Sequence, residues 1–317
     1  MNLSYLTTVA NSTLRMMTPV LYVTLAAAVC SKVKILNISM EGVMLISAFF
    51  AIVTNWFTHN VFLSIITAIA IGVVVSAVVG FCIIYLKAQP VVVGMACNTM
   101  MSGLSIYLLY AIFHTRGVFT DPSLQGIPKI NLPFIKDIPV LGQVLYNLTI
   151  VDYLAFASAI VLYIFLYKTV LGYRLRAIGI NPQAAQSLGT KVERYQFLTV
   201  TLSGILSGLG GSLLSMGSVT LFIQNISSGR GYIAMAANNL GRSHPLGALL
   251  SSFFFGFCQS LGYILQGTSI KSQITTAIPY VATILALILF TVYGRIQKAR
   301  RISRLRKEEP RETPASL

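Results

Sequence analysis

Apolar residues run along this chain in long blocks instead of alternating with polar ones. The blocks fall near Met16–Cys30, Ile38–Phe57, Phe62–Leu86, Val91–Phe113 and Tyr153–Leu171, then Phe197–Met216, Val219–Leu240, Leu246–Leu265 and Thr275–Tyr293. Two stretches, Gly42 to Leu86 and Tyr195 to Gly229, contain no Asp, Glu, Lys or Arg. An uncharged stretch of that length offers no face to water, whereas about 20 apolar residues in a helix cross the hydrocarbon core of a bilayer. The pattern therefore predicts an all-α, polytopic membrane helical bundle of about nine segments, with a range of about 8–10. The first block is short and is expected to recruit residues on its N-terminal side. The seventh contains a polar run, Phe222-Ile-Gln-Asn-Ile-Ser-Ser-Gly-Arg-Gly-Tyr. Irregular backbone survives at membrane depth only where protein buries it or where it lines a cavity. This run is either a broken helix beside a polar pathway or a short extracytoplasmic turn before a later crossing.

Composition agrees: 55% of the 317 residues are hydrophobic and 10% are charged, against about 25% charged in soluble domains. The net charge of +15 raises the question of nucleic acid, but the distribution argues otherwise. Residues 295–317 form a basic tail directly after an apolar block, which suits an anchor facing anionic headgroups; residues 1–294 hold the membrane segments. With a cytoplasmic C-terminus and nine crossings, 17 basic residues fall inside and five outside, leaving Arg230 within a segment. That bias predicts an extracytoplasmic N-terminus and no nucleic-acid partner. Cys30, Cys82, Cys97 and Cys258 lie scattered in apolar blocks without a CxxC or nearby His, so they read as small hydrophobes and no metal site is expected.

Two loops interrupt the blocks. His114 to Asp152, rich in Gly and Pro, is expected outside as a structured cap or a partner contact. The inside loop, 172–196, contains a local helix signal. Asn181 suits an N-cap, Pro182 the first helical position and Gly189 the residue that closes the helix. The result is a helix from Pro182 to Leu188 with Ala184, Ala185 and Leu188 on one side and Arg174, Arg176, Lys191 and Arg194 around it. Such a helix serves as a connector or docks in a groove of a soluble partner.

These residues resemble a family. Gly179-Ile-Asn-Pro-Gln-Ala-Ala-Gln-Ser-Leu-Gly is similar to the coupling-helix segment of bacterial ATP-binding-cassette importer permeases of the branched-chain amino acid, simple sugar and nucleoside kind. Leu36-Asn-Ile-Ser-Met-Glu-Gly-Val-Met-Leu, Leu202-Ser-Gly-Ile-Leu-Ser-Gly-Leu-Gly-Gly, Gly229-Arg-Gly-Tyr-Ile-Ala-Met-Ala and Pro245-Leu-Gly-Ala-Leu follow in the same order. The Asn-Ile-x-x-Glu-Gly form most resembles the nucleoside and simple-sugar branch. Gly241-Arg-Ser-His-Pro departs from the family's aromatic-Asn-Pro. The resemblance implies a multi-pass permease in the bacterial inner membrane that moves a neutral polar solute inward, most often a nucleoside, or alternatively a simple sugar. It implies ATPase coupling through Asn181, Pro182, Ala184, Ala185, Leu188 and Gly189. It also implies two cytoplasmic ATPase subunits, a second and commonly different permease, and an extracytoplasmic binding lipoprotein. No GxxxxGK followed by Ser or Thr occurs, so the chain is not read as an enzyme or as binding a cofactor, and ATP is hydrolysed by partner subunits.

The pathway candidates are Asn37, Glu41, Asn98, Gln224, Asn225, Ser228, Asn238 and Asn239, amides and hydroxyls with one acid. Such a lining suits a nucleoside or sugar better than a cation or phosphate. Glu41 shares a helical face with Asn37 and is the only acid before Arg116. A membrane carboxylate needs a partner, so Glu41 either braces the gate or pairs with Lys32 or Lys34. A lone acid gives little support to an ion-coupled secondary transporter, and His59, His114 and His244 are too far apart for an intramembrane enzyme. The face Ser203, Ser207, Gly211, Ser215, with Gly204, Gly208 and Ser212 beside it, reads as close helix packing. Turns after the first and sixth segments, five crossings apart, would relate two halves as an inverted repeat.

Overall fold

The computed structural model describes residues 3–130 and 147–266, with six scattered positions between 281 and 292. Among the described residues, seven helices are long and apolar enough to cross a membrane. They are α1 (Leu3–Ser31), α2 (Met40–Thr58), α3 (Val61–Ile84), α4 (Pro90–Phe113), α5 (Ile150–Lys168), α8 (Val192–Met216) and α10 (Pro245–Gln266). Shorter helices α6 (Val170–Ile180) and α7 (Pro182–Ser187) precede α8, and α9 (Arg230–Leu240) precedes α10. The ninth expected block, Thr275–Tyr293, and the basic tail lie outside the described residues apart from the scattered positions.

The seventh expected block is corrected by the structure. Val219–Leu240 is not one helix: residues 217–229 are turns and the short strand β4 (Phe222–Ile223), and only Arg230–Leu240 is helical. Eleven residues span about 16 Å at 1.5 Å per residue, roughly half of a 30 Å core. The polar run is irregular, as both alternatives required, and the helix of this block starts only at Arg230. Helix α1 begins well before Met16, as its short apolar block required.

Local chemistry starts and stops these helices. The Asn60 side chain accepts from the amides of Phe62 and Leu63 at 3.0 and 3.3 Å, which caps α3. Thr149 and Asp152 form a capping box at α5. Small residues then allow close packing. A Cβ on Gly204 would stand 2.4 Å from the Gly72 carbonyl oxygen, and one on Gly211 would stand 2.4 Å from that of Met44. The small-residue face of α8 is thus what lets α2 and α3 approach it.

Helix directions define two ends. Helices α1 and α10 run antiparallel, with the Ser252 hydroxyl donating to Thr24 Oγ1 at 3.1 Å and the Ser260 hydroxyl to the Val9 carbonyl at 3.3 Å. One end, the basic end, carries Lys32, Lys34, α6 and α7. At the other, strands β1 (Val118–Phe119) and β4 pair antiparallel, as do β2 (Lys129–Ile130) and β3 (Leu148–Thr149). This cap fastens the irregular stretch before α9 to the loop after α4, and the Gln224 amide donates to the Gly117 carbonyl at 2.7 Å.

Candidate translocation site

Two non-helical stretches meet inside the bundle. The chain leaves α1, runs extended through Ile35–Ile38 and enters α2; it leaves α8, runs irregularly through 217–229 and enters α9. Glu41 stands in the first turn of α2 and is 7% exposed. Its Oε1 accepts from the Ser227 hydroxyl at 2.6 Å and the Gly229 amide at 2.8 Å, and its Oε2 from the Gly231 amide at 2.6 Å. These amides belong to the N-cap and first turn of α9, where peptide N–H groups lack helical partners and the helix dipole is positive. The carboxylate therefore caps a short helix inside the bundle. Of the two expectations for Glu41, the interfacial pair with lysine is not what forms. Lys34 Nζ donates instead to the Ile180 carbonyl at 2.9 Å, and Lys32 lies over the Tyr167 ring. Close approach requires glycine on the other side, since a Cβ on Gly231 would lie 2.7 Å from both Glu41 Cα and Oε2. Gly229 adopts φ 77°, a conformation glycine enters without a Cβ penalty.

Asn98 on α4 performs the matching task at the first interruption. Its Oδ1 accepts from the Gly42 amide at 2.8 Å, and its Nδ2 donates to the Ile38 carbonyl and to the Tyr232 hydroxyl, both at 3.0 Å. Asn37 turns inward: its Oδ1 accepts from the Ser39 amide at 3.1 Å and hydroxyl at 2.6 Å, and its Nδ2 donates to Ser203 at 3.3 Å. It holds the turn and does not border the cleft beside Glu41. Glu41, Asn98 and Asn225 border a cleft of about 480 Å³ with Thr99, Ser102 and Tyr232.

Gln224 and Ser228 border a different cleft, of about 370 Å³, which includes Arg15, Asp152, Arg230 and Tyr263. Asn225 lines both, so the 224–229 stretch is the partition between them. Asn238 and Asn239 lie elsewhere. They occupy the last turn of α9, where the Asn238 side chain donates to the Ser31 hydroxyl at 3.0 Å and Asn239 is exposed. The length of α9 carries them to the basic end, away from both clefts. Tyr232 and Ser102 were not singled out as pathway groups in the sequence. Tyr232 sits within the Gly229-Arg-Gly-Tyr motif, whose glycines drew attention before its aromatic ring.

At the basic end, the Asn181 side chain accepts from the amides of Gln183 and Ala184, both at 3.1 Å, and caps α7. The helix runs Pro182–Ser187, Leu188 is its C-cap and Gly189 is left-handed at φ 82°. Ala185 is buried, whereas Leu188 and Ile180 are 86% and 80% exposed. The small and apolar side chains thus divide: Ala185 seats the helix on the bundle, and Ala184 and Leu188 face outward. A groove of about 1010 Å³ lies beside it, bordered by Lys34, Lys87, Gln186, Lys191 and Arg194 among others. Helix α6 reaches the first interruption directly, since a Cβ on Gly179 would lie 2.1 Å from the Lys32 carbonyl oxygen.

Residues 9–292 match the protein family described as branched-chain amino acid transport system, permease component. The chain is 34% identical to the nucleoside ABC transporter permease protein NupC of Lactococcus lactis subsp. cremoris, over 86% of this chain and 89% of that protein. It is 31% identical to the guanosine ABC transporter permease protein NupQ of Bacillus subtilis, over 89% and 91%. It is 27% identical to the putative glucose ABC transporter permease protein TsgC13 of Haloferax volcanii, over 90% and 92%.

Proposed function

The chain belongs to the family of branched-chain amino acid transport system permease components, and on that basis we propose that it is the permease subunit of an ATP-binding-cassette importer that moves a nucleoside inward. The observation that carries this reading is the cleft beside Glu41. The carboxylate there accepts from three donors at the entry to α9, and the other polar groups bordering the cleft are Asn98, Thr99, Ser102, Asn225 and Tyr232. These are uncharged hydrogen-bonding groups, fitted to a neutral polar solute. The names of the relatives from Lactococcus lactis and Bacillus subtilis point to the same solute class.

In this reading the basic end is cytoplasmic, and both the N-terminus and the β-strand cap are extracytoplasmic. Two ATPase subunits dock on the inner face, a second and different permease closes the open side of the cleft, and a binding lipoprotein delivers solute from outside. The α1–α2 and α8–α9 units, whose leading helices run in opposite senses, are the cores of an inverted repeat. Exposed Leu188 and Ala184 meet the ATPase with the cationic groove beside them. Motion imposed on α7 passes along α6 to Lys32 and Lys34, through 35–39, and reaches the Glu41 clamp. The coupling free energy would thus act on the contact between the two half-helices.

The test is ATP-driven uptake by proteoliposomes holding this chain with its ATPase, second permease and binding lipoprotein. Labelled guanosine is expected to accumulate and labelled glucose is not; accumulation of glucose alone, or of neither, refutes the nucleoside reading. Leu188→Asp should abolish co-purification of the ATPase while the permease still inserts. Retention of the ATPase by that variant would refute the docking role of α7.

A further inference from the structure

Tyr232 is held as a group with an unfinished hydrogen bond. Asn98 Nδ2 donates to its hydroxyl oxygen at 3.0 Å, so the phenol already accepts and its own proton remains to be given. Asn98 has no proton left to give: one amide proton goes to Tyr232 and the other to the Ile38 carbonyl, while its Oδ1 accepts from the Gly42 amide. Its position on the α2 entry is therefore fixed, and it aims Tyr232 instead of meeting a solute itself. Glu41 is likewise occupied by α9.

The ring of Tyr232 is not packed away, for the residue is 47% exposed in the first turn of α9. Facing the same cleft, Thr99 donates its hydroxyl to the Met95 carbonyl at 3.1 Å, which leaves its oxygen to accept. Ser102 and Asn225 add further small polar groups. A lipid-facing surface would not gather these groups, because each unpaired one costs free energy in hydrocarbon. The volume, about 480 Å³, falls in the range of sites for small organic molecules.

We infer that Tyr232 is the solute-contacting residue that sets specificity, its ring stacking on the base or sugar face while its hydroxyl proton donates to one acceptor of the nucleoside. This rests on the nucleoside reading above. Aromatic rings stack on any base, so the ring supplies general affinity and the single donor supplies discrimination.

The same proteoliposomes test it, with guanosine compared against analogues that each lack one acceptor: 2-aminopurine riboside, which has no O6, and 7-deaza-, 3-deaza-, 2′-deoxy-, 3′-deoxy- and 5′-deoxyguanosine. Tyr232→Phe should lower guanosine uptake about threefold to tenfold, the worth of one neutral hydrogen bond. It should leave uptake of one analogue nearly unchanged, so that the ratio of the two collapses toward one. Tyr232→Leu should lower all of them further. A Tyr232→Phe variant that slows every solute by the same factor reveals a packing role and overturns the inference. So does one that changes no rate while the wild type carries guanosine. A wild type that carries no guanosine overturns the nucleoside reading itself, which is a distinct result. Should Tyr232→Leu fail to assemble, the Tyr232→Phe ratios still decide.

Discussion

The two non-helical stretches, 32–39 and 217–229, solve one problem in different ways. Between α1 and α2 the irregular stretch is short, and side chains tie it down: Asn37 and Asn98 together satisfy Ser39, Gly42 and Ile38. Between α8 and α9 it is longer, and within it Asn225 and Ser228 take left-handed conformations at φ 59° and 44° before Gly229 at 77°. Left-handed backbone costs a residue bearing a Cβ roughly 1–2 kcal/mol. The second stretch is held mainly by backbone contacts to the β-strand cap and, at its end, by Glu41. The first interruption is thus an anchor, built from side chains whose partners lie mostly in or beside α2, with one bond reaching Tyr232 of α9. The second is a partition whose inner end depends on one carboxylate from the first. Gating requires an element with two arrangements, and the second stretch, tied to the first through Glu41, is where we expect it.

Removing that carboxylate should have the largest effect. Glu41→Ala leaves the Ser227 hydroxyl and the amides of Gly229 and Gly231 without their acceptor in a buried site, at a cost of about 3 kcal/mol or more. Thermal unfolding of the purified permease should show a large drop in midpoint, and uptake should be lost. Glu41→Gln keeps one acceptor oxygen and should fall between. Uptake by an assembled Glu41→Ala complex at the wild-type rate would show that the two interruptions work independently. Gly231→Ala approaches the same contact from the other side. Its methyl would meet Glu41 Cα and Oε2 at 2.7 Å, and the overpacking should cost about 1–3 kcal/mol.

Asn98→Ala and Gln224→Ala measure the anchor against the partition. Asn98→Ala orphans the Gly42 amide and the Ile38 carbonyl, so about 1–3 kcal/mol of stability should go. Gln224 is exposed, and its truncation should change stability by no more than about 0.5 kcal/mol. Equal losses in denaturant titrations of the two variants would erase the distinction between a fixed and a loosely held interruption.

How far these features were legible in the sequence follows from how local their causes are. The α7 helix was readable to within one residue, because Asn181, Pro182 and Gly189 act on their immediate neighbours. The polar run 222–232 announced an irregular crossing, since no lipid-facing helix tolerates it. The partner of Glu41 was not readable. It is a hydroxyl and two amides nearly 190 positions away, and backbone groups leave no trace in residue identity. Asn238 and Asn239 looked like pathway amides by type, yet α9 runs from the clamp to the basic end and carries them to Ser31. Ala185 and Leu188 looked alike as apolar docking groups; only the seating of α7 on the bundle separates the buried one from the exposed one.

At the basic end the exits of the two crossings meet again, and a smaller effect tests whether they sense each other. Lys32 follows α1 and His244 follows α9, and both lie against Tyr167, the lysine ammonium 5.8 Å and the imidazole 5.0 Å from its ring center. Tyr163 flanks His244, and the Arg176 guanidinium sits 4.6 Å from the Tyr167 ring. Burial first, and then the Lys32 charge, hold the His244 pKa below its ordinary value. As pH falls, the unfolded chain therefore takes up the proton before the folded one does. Stability is fully present above the ordinary imidazole value of about 6.5, declines as pH drops toward the depressed folded value, and levels off below it. The thermal midpoint should consequently decrease by a few degrees at most between roughly pH 7.5 and 5.5, and by less in His244→Gln. Lys32→Gln removes the repulsion but not the burial, so its pH dependence should lie between those two. A His244→Gln variant with the full wild-type pH dependence would show that the two exits are neighbours without electrostatic contact.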